Sequence, residues 1–235
     1  MRIAVTGGAG FLGSHMCSEL IKRGHRVVCL DNFSTGSKKN VEPLMASKDF
    51  KLYQCDIRDL EKLNEIFKQE KIELVYHYAA VVGVKRTLEK PEEVLDVNIR
   101  GTHNVLQAAV HAGCAKVVNI SSSEVYGNPV EVPEKEDSPK NVELPYAISK
   151  LTAEKYAQIY HQKYGLKTTS LRLFNVYGPR QESTPYGFVV GIFIKQVLRG
   201  KPPVIFGDGF QTRDFNYIED CIVPTIIAGE SDAAN

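Results

Sequence analysis

The run Val5-Thr6-Gly7-Gly8-Ala9-Gly10-Phe11-Leu12-Gly13 constrains this chain more than any other stretch of comparable length. It joins a short apolar run, Ile3 to Thr6, to a segment of helical period that begins at Phe11 and Leu12. At such a strand-to-helix turn, Gly7 permits the tight bend. Gly10 lets backbone approach a pyrophosphate, and Gly13 lets the helix pack close to the strand. The helix N-terminus then offers free N–H groups and a partial positive charge to phosphate. The next strand ends in Asp31, 18 residues past Gly13, near the spacing of about 20 for a ribose-binding carboxylate. A carboxylate there accepts hydrogen bonds from ribose hydroxyls and repels a 2′-phosphate, so NAD is favoured over NADP. A glycine turn without ligand is the plainer alternative, and the combination of turn, helix and acid speaks against it. Lys38 and Lys39 would reach a phosphate only from what reads as a solvated loop.

The rest of the first 178 residues repeats this rhythm. Ile3 to Thr6, Arg26 to Leu30, Lys51 to Cys55, Leu74 to Tyr78, Lys116 to Ile120 and Thr168 to Phe174 read as strands. Residues 11–23, 60–69, 91–111 and 145–164 read as helices, the first closed by Gly24. Apolar strands alternating with helices predict a doubly wound parallel-sheet α/β fold of the Rossmann type. Past Gly178 the rhythm breaks. Pro179, Pro185, Pro202 and Pro203, with Gly187, Gly200, Gly207 and Gly209, cut the chain into short pieces around one helix, 188–199. A further helix is expected near the end, with Pro224 near its start. The expected division is a cofactor-binding domain over 1–178 and a small, partial substrate-binding lobe over 179–235.

Composition excludes several classes. With 29 Lys+Arg against 28 Asp+Glu, the chain lacks the clustered basic excess of a nucleic-acid binder. Apolar runs such as 188–194 fall far short of the roughly 20 residues of a membrane span. The five cysteines, Cys17, Cys29, Cys55, Cys114 and Cys221, are odd in number and scattered. They read as free thiols in a reducing compartment. With no signal-peptide pattern ahead of the glycine turn, a cytoplasmic protein is expected. None of the six histidines has metal-site spacing, and no metal is expected.

Further motifs follow in order. They are Thr6-Gly7-x-x-Gly10-x-x-Gly13, Asp31-Asn32-Phe33-Ser34-Thr35-Gly36, Asp56-Ile57, His77-Tyr78-Ala79-Ala80 and Ser121-Ser122-Ser123-Glu124-Val125-Tyr126-Gly127. Then come Tyr146-Ala147-Ile148-Ser149-Lys150, the run Phe174 to Arg180 and the run Gly207 to Phe215. In this order the sequence resembles the extended short-chain dehydrogenase/reductases, in their NAD-dependent nucleotide-sugar epimerase/dehydratase branch. The likeness implies that Asn32, Ser34, Thr35 and Gly36 line the cofactor, that Asp56 and Ile57 sit by the adenine, and that Ala79 and Ala80 line the nicotinamide. It also implies that Asn175 and Arg213 hold the nucleotide diphosphate of the substrate, although an arginine beside Asp214 would equally make a surface ion pair.

Tyr146 and Lys150 stand four apart on a predicted helix and so share a face. An ammonium near a phenol is expected to lower its pKa from about 10 towards neutrality. The phenolate could then take a proton from a sugar hydroxyl as hydride leaves the same carbon. The resemblance places the hydroxyl that binds the reacting oxygen at Ser122, with Ser121 and Ser123 as neighbours able to substitute. His77 reads as an orienting core residue, and Asn98 as structural.

Relatives of this kind share oxidation of the sugar at its 4-position and differ afterwards. Glu124, two positions past Ser122, matches the glutamate of resembling 4,6-dehydratases and uronate decarboxylases. Ser123 replaces the Asp of many dehydratases, and the runs 175–180 and 212–215 look more like the 4-epimerases. Epimerisation of a UDP-glucose/galactose or N-acetyl sugar is therefore expected first, with dehydratase or decarboxylase chemistry second. A non-catalytic dinucleotide sensor comes last, since a sensor has no need of both Tyr146 and Lys150. The resemblance also implies a longer chain with a further strand–helix stretch, so truncation or a reduced lobe is expected. It further implies a homodimer joined through the helices at 91–111 and 145–164.

Overall fold

The computed structural model describes residues 1–181 and 187–234. Pro185, read above as a breaker, lies outside them. Six strands form one parallel sheet: β1 (Arg2–Thr6), β2 (Arg26–Asp31), β3 (Phe50–Gln54), β4 (Leu74–His77), β5 (Lys116–Ser122) and β6 (Lys167–Leu173). Their order is β3-β2-β1-β4-β5-β6. Chain direction across the sheet reverses between β1 and β4, and ligands of such folds bind outside the carboxyl ends of the strands at that point. The register puts Thr6 beside Leu30 on one side and His77 on the other.

The period-2 alternation of the strands divides the core in two. Ala4, Val28, Leu30, Val75 and Val117 point to one face. There they meet α2 (Leu60–Glu70), α5 (Gly101–Ala112) and α6 (Pro145–Tyr164) through Phe67, Leu106 and Tyr160. Ile3, Val5, Cys29, Tyr76, Val118 and Ile120 point to the other face, against Met16 and Leu20 of α1 (Phe11–Lys22). Local chemistry sets the helix ends. Asp59 accepts the Lys62 N–H at the start of α2. Pro145 opens α6, and Gly165 closes it at φ +70°.

The segment 91–111, expected as one helix, has three parts: α4 (Pro91–Leu95), a π-helical turn over Asp96–Arg100, and α5. α4 follows a short helix, α3 (Val84–Glu89). Hydrophobic spacing does not distinguish a wider turn from an α-turn. The buried Asn98 occupies this turn, and its side chain accepts from Val81 N–H at 2.7 Å and donates to Val81 C=O at 3.1 Å. Such turns recur at functional sites.

Past residue 178 the pieces go different ways. β7 (Val176–Tyr177) and β8 (Asn216–Tyr217) form a separate parallel pair. α7 (Val189–Leu198) has no buried residue, and Ile194, Val197 and Leu198 are exposed. α8 (Ile218–Glu230) instead lays Ile218, Ile222 and Ile226 on the main sheet with Ile3, Tyr76 and Val118. Tyr76 Oη donates to Ile226 C=O at 3.3 Å. Pro224 lies inside α8 and not near its start, because the helix begins six residues earlier at Ile218. All five cysteines are buried and unpaired as disulfides. No described helix is long and apolar enough to cross a membrane, and no metal-binding cluster occurs among the described residues.

Candidate active site

The glycine turn is held by Leu30, whose carbonyl accepts from Gly7 N at 2.7 Å and Gly8 N at 3.3 Å. Gly7 has φ +66°, and a Cβ there would lie 2.7 Å from Ala79 N. A Cβ on Gly13 would lie 2.2 Å from the Gly7 carbonyl oxygen, and one on Gly10 3.1 Å from it. The close approaches of turn to helix and to the β4 end therefore admit no side chain. α1 begins with neither a side-chain cap nor an acid in its first turn. Helix geometry leaves the N–H groups of Phe11, Leu12 and Gly13 without intrahelical acceptors. An uncapped N-terminus beside a side-chain-free cradle fits the pyrophosphate of a dinucleotide.

Asp31 closes the cradle. Its Oδ2 accepts from Ala9 N at 2.9 Å and its Oδ1 from Phe33 N at 2.8 Å. Burial pushes its pKa up, and these backbone bonds oppose the push. Gly36 abuts the carboxylate, since a Cβ there would stand 2.7 Å from both oxygens. Asn32 donates to Asp56 at 2.9 Å and accepts from Ser34 N at 3.0 Å, while Ser34 and Thr35 are exposed. Arg58, which sequence reasoning missed, grips Asp56 and holds its carboxyl far below the usual carboxylate range. Ile57 turns its side chain into the core, against Gly101. Ala79 and Ala80 are half-buried, and Ala79 N donates to Thr6 Oγ1 at 3.3 Å.

A directional chain runs behind this wall. Thr102 Oγ1 donates to Asn98 C=O at 2.6 Å, so it accepts from His77 Nε2 at 2.9 Å. That leaves His77 Nδ1 to accept from the Thr6 hydroxyl at 2.7 Å. His77 is thus a neutral ring with one tautomer, an orienting core residue as expected. Burial first, and the Lys150 charge second, depress its pKa to about 3. Asn98 also donates to Ser149 Oγ at 3.0 Å, and Ser149 donates to Tyr146 C=O at 2.7 Å.

Three of the predicted residues converge at the carboxyl end of β5. The Ser122 hydroxyl lies close enough to the Tyr146 phenol to favour its ionised form. Lys150 Nζ lies 5.8 Å from the Tyr146 ring centre and donates to Ile120 C=O at 2.7 Å. The expected lowering of the phenol is not what this arrangement produces. Burial pushes Tyr146 up to about 12; Ser122 opposes the shift and Glu124 adds to it. The ammonium spends its hydrogen bond on a carbonyl, and burial brings Lys150 down to about 8 against the pull of Glu154. Glu124 is exposed, with its N–H on Ser122 Oγ at 3.3 Å.

Asn175 and the 213–214 stretch are brought together by the β7–β8 pair, Asn175 donating to Asp214 C=O at 2.9 Å. Arg213 is exposed and bonds Thr212 C=O at 2.7 Å. Sequence reasoning also missed Glu154 and Arg172. Arg172 grips both oxygens of Glu154, at 2.9 and 2.8 Å, and Ser121 donates to the same carboxylate at 2.6 Å. Only the spacing of Glu154, four past Lys150, hinted at it.

Comparison with known proteins places these features in context. The profile of the NAD dependent epimerase/dehydratase family matches residues 3–234. A putative UDP-glucose 4-epimerase of Methanocaldococcus jannaschii is 40% identical over 96% of this chain and 72% of that protein. A UDP-N-acetyl-alpha-D-glucosaminuronate decarboxylase of Bacillus cytotoxicus is 40% identical over 97% of this chain and 70% of its own length. Among solved structures, a Thermus thermophilus UDP-glucose 4-epimerase in complex with NAD superposes with a TM-score of 0.89. It is 38% identical, over 98% of this chain and 75% of that one. The chain belongs to the NAD-dependent epimerase/dehydratase family of extended short-chain dehydrogenases/reductases, and its cofactor is NAD.

Proposed function

We propose that this protein catalyses 4-epimerisation of a nucleotide-diphosphate sugar, of the UDP-glucose/galactose or N-acetyl type, through a 4-keto sugar. The observation that carries the reading is the meeting of Tyr146, Lys150 and Ser122 at the β5 end, with the Gly7–Gly13 cradle at the neighbouring strand ends. That cradle, with Asp31 and the Ala79–Ala80 wall, would hold NAD, which would supply the hydride acceptor and donor for the sugar's carbon 4. Ser122 binds the 4-oxygen, and Tyr146 Oη takes its proton and later returns it. To take that proton Tyr146 has to ionise against its burial, and the positive charge of Lys150 beside the ring favours the ionised form. Asn175 and Arg213 bind the diphosphate, a guanidinium being suited to that geometry. In this reading 1–178 serves the cofactor and 179–235 part of the substrate side.

A second reading, decarboxylation or 4,6-dehydration, is supported by Glu124, which abuts the Ser122–Tyr146 pair, and by the decarboxylase relative. A homodimer through α4–α5 and α6 belongs to the same reading and is supported by the exposed Ile148 and Ile159 on α6. The test is incubation of the protein with NAD and a panel of UDP-, GDP- and dTDP-sugars, with products resolved by mass and by epimer. An isomer of unchanged mass supports epimerisation, whereas loss of water or carbon dioxide overturns it in favour of the second reading.

A further inference from the structure

Tyr146, Lys150 and Glu154 are spaced four apart on α6 and so form one line along a single face. Glu154 is a nearly buried carboxylate whose charge acts on Lys150. A carboxylate in such surroundings needs its oxygens satisfied. Arg172, from β6, meets both of them as a fork, and Ser121, from β5, adds a third bond. Arg172 also donates to Tyr126 Oη at 2.9 Å and to Glu136 C=O at 2.8 Å. The network therefore fixes the strand end that carries Ser122 and the turn that carries Glu124.

We propose that Glu154 and Arg172 are positioning residues for the Tyr146–Lys150 couple. Glu154 holds the ammonium charge on Lys150 beside the phenol, and Arg172 moderates Glu154 while keeping it ionised. The proposal rests on Tyr146 and Lys150 being the reacting pair. Lys150 faces Tyr146 and Glu154 on its own helix, the neutral His77 from β4, and the Ile120 carbonyl from β5. Glu124, from the turn after β5, acts on Tyr146. Among these groups, Glu154 is the carboxylate whose charge raises the Lys150 pKa. Removing the Glu154 charge weakens the hold of Lys150 on its proton, and removing Arg172, which keeps Glu154 ionised against its burial, weakens it too.

The test is an NMR titration of nitrogen-15-labelled lysine side chains, with the Lys150 signal assigned by Lys150→Arg. The wild-type Lys150 is expected to titrate at about 8. In Glu154→Gln, whose amide oxygen still accepts from Arg172 and Ser121, the titration should fall by about one unit. In Arg172→Met, where Glu154 loses the fork that keeps it ionised, it should fall as well, and Arg172→Lys, which returns the charge, should restore it. The alkaline limb of the kcat profile should move with each. An unchanged titration in Glu154→Gln, or a shift in Arg172→Met that Arg172→Lys does not restore, overturns the proposal, because loosened packing would not be mended by charge alone. Should Glu154→Gln not fold, the two Arg172 variants decide: a downward shift in Arg172→Met that Arg172→Lys restores supports the proposal, and no shift, or one that lysine leaves in place, refutes it. Inactivity on every nucleotide sugar would refute the proposed reaction and leave this titration readable.

Discussion

Lowering the pH should strike this protein first at His77. Its ring is 3% exposed, donates to Thr102, accepts from Thr6, and has no carboxylate to receive a second proton. Its pKa falls from 6.5 to about 3 on folding. The unfolded chain therefore takes up a proton below pH 6.5 that the folded chain refuses. Stability is fully present above 6.5 and is lost progressively as pH falls towards 3. At about 1.4 kcal/mol per unit, the loss by pH 4.5 is about 3 kcal/mol, a large share of a typical folding free energy. Buried carboxylates such as Glu154 also weaken the fold in acid, so the informative quantity is a difference. Urea unfolding at pH 7 and 4.5 should show the wild type losing about 3 kcal/mol more than His77→Gln, which has no ring to protonate. Equal losses in the two proteins would refute both the neutral tautomer and the chain built on it.

Tyr146→Phe should reduce turnover by about 10²–10⁴-fold while leaving the thermal midpoint nearly unchanged; activity and calorimetry on one preparation check both. Gly13→Ala forces a methyl to within 2.2 Å of the Gly7 carbonyl oxygen. It should cost about 1–3 kcal/mol in chemical denaturation and weaken NAD binding in a fluorescence titration. Phe67→Ala empties a fully buried site between α2 and the sheet and should cost about 3–5 kcal/mol, with NAD affinity retained at the distant cradle once folded.

The sequence announces most of the sheet because each strand is short, apolar and set between helices of clear period. The cradle was legible for a related reason: Gly7, Gly13 and Asp31 work through backbone shape and local spacing, which a linear pattern preserves. The π-helical turn was not, because Asn98 stabilises it through Val81 and Ser149, partners 17 and 51 positions away. The clamp of Glu154 by Arg172 and Ser121 likewise joins residues 18 and 33 apart. The ionisation of Tyr146 was misjudged for another reason. Spacing placed Lys150 on the correct face, but only the fold shows the ammonium turned to the Ile120 carbonyl and the half-buried Tyr146 packed against the core. The start of α8 was missed because a proline suggested a first turn, where the helix in fact carries it inside.

The way α8 roofs one side of the sheet has a practical corollary. The nucleotide-binding half is not an excisable module: a chain cut at residue 178 would strip Ile218, Ile222 and Ile226 from Ile3, Tyr76 and Val118. It would also deprive the Tyr76 hydroxyl of its acceptor. The bared, strongly apolar plane would invite self-association, so any minimal NAD-binding fragment of this protein has to keep its final helix, even at the expense of the segment between.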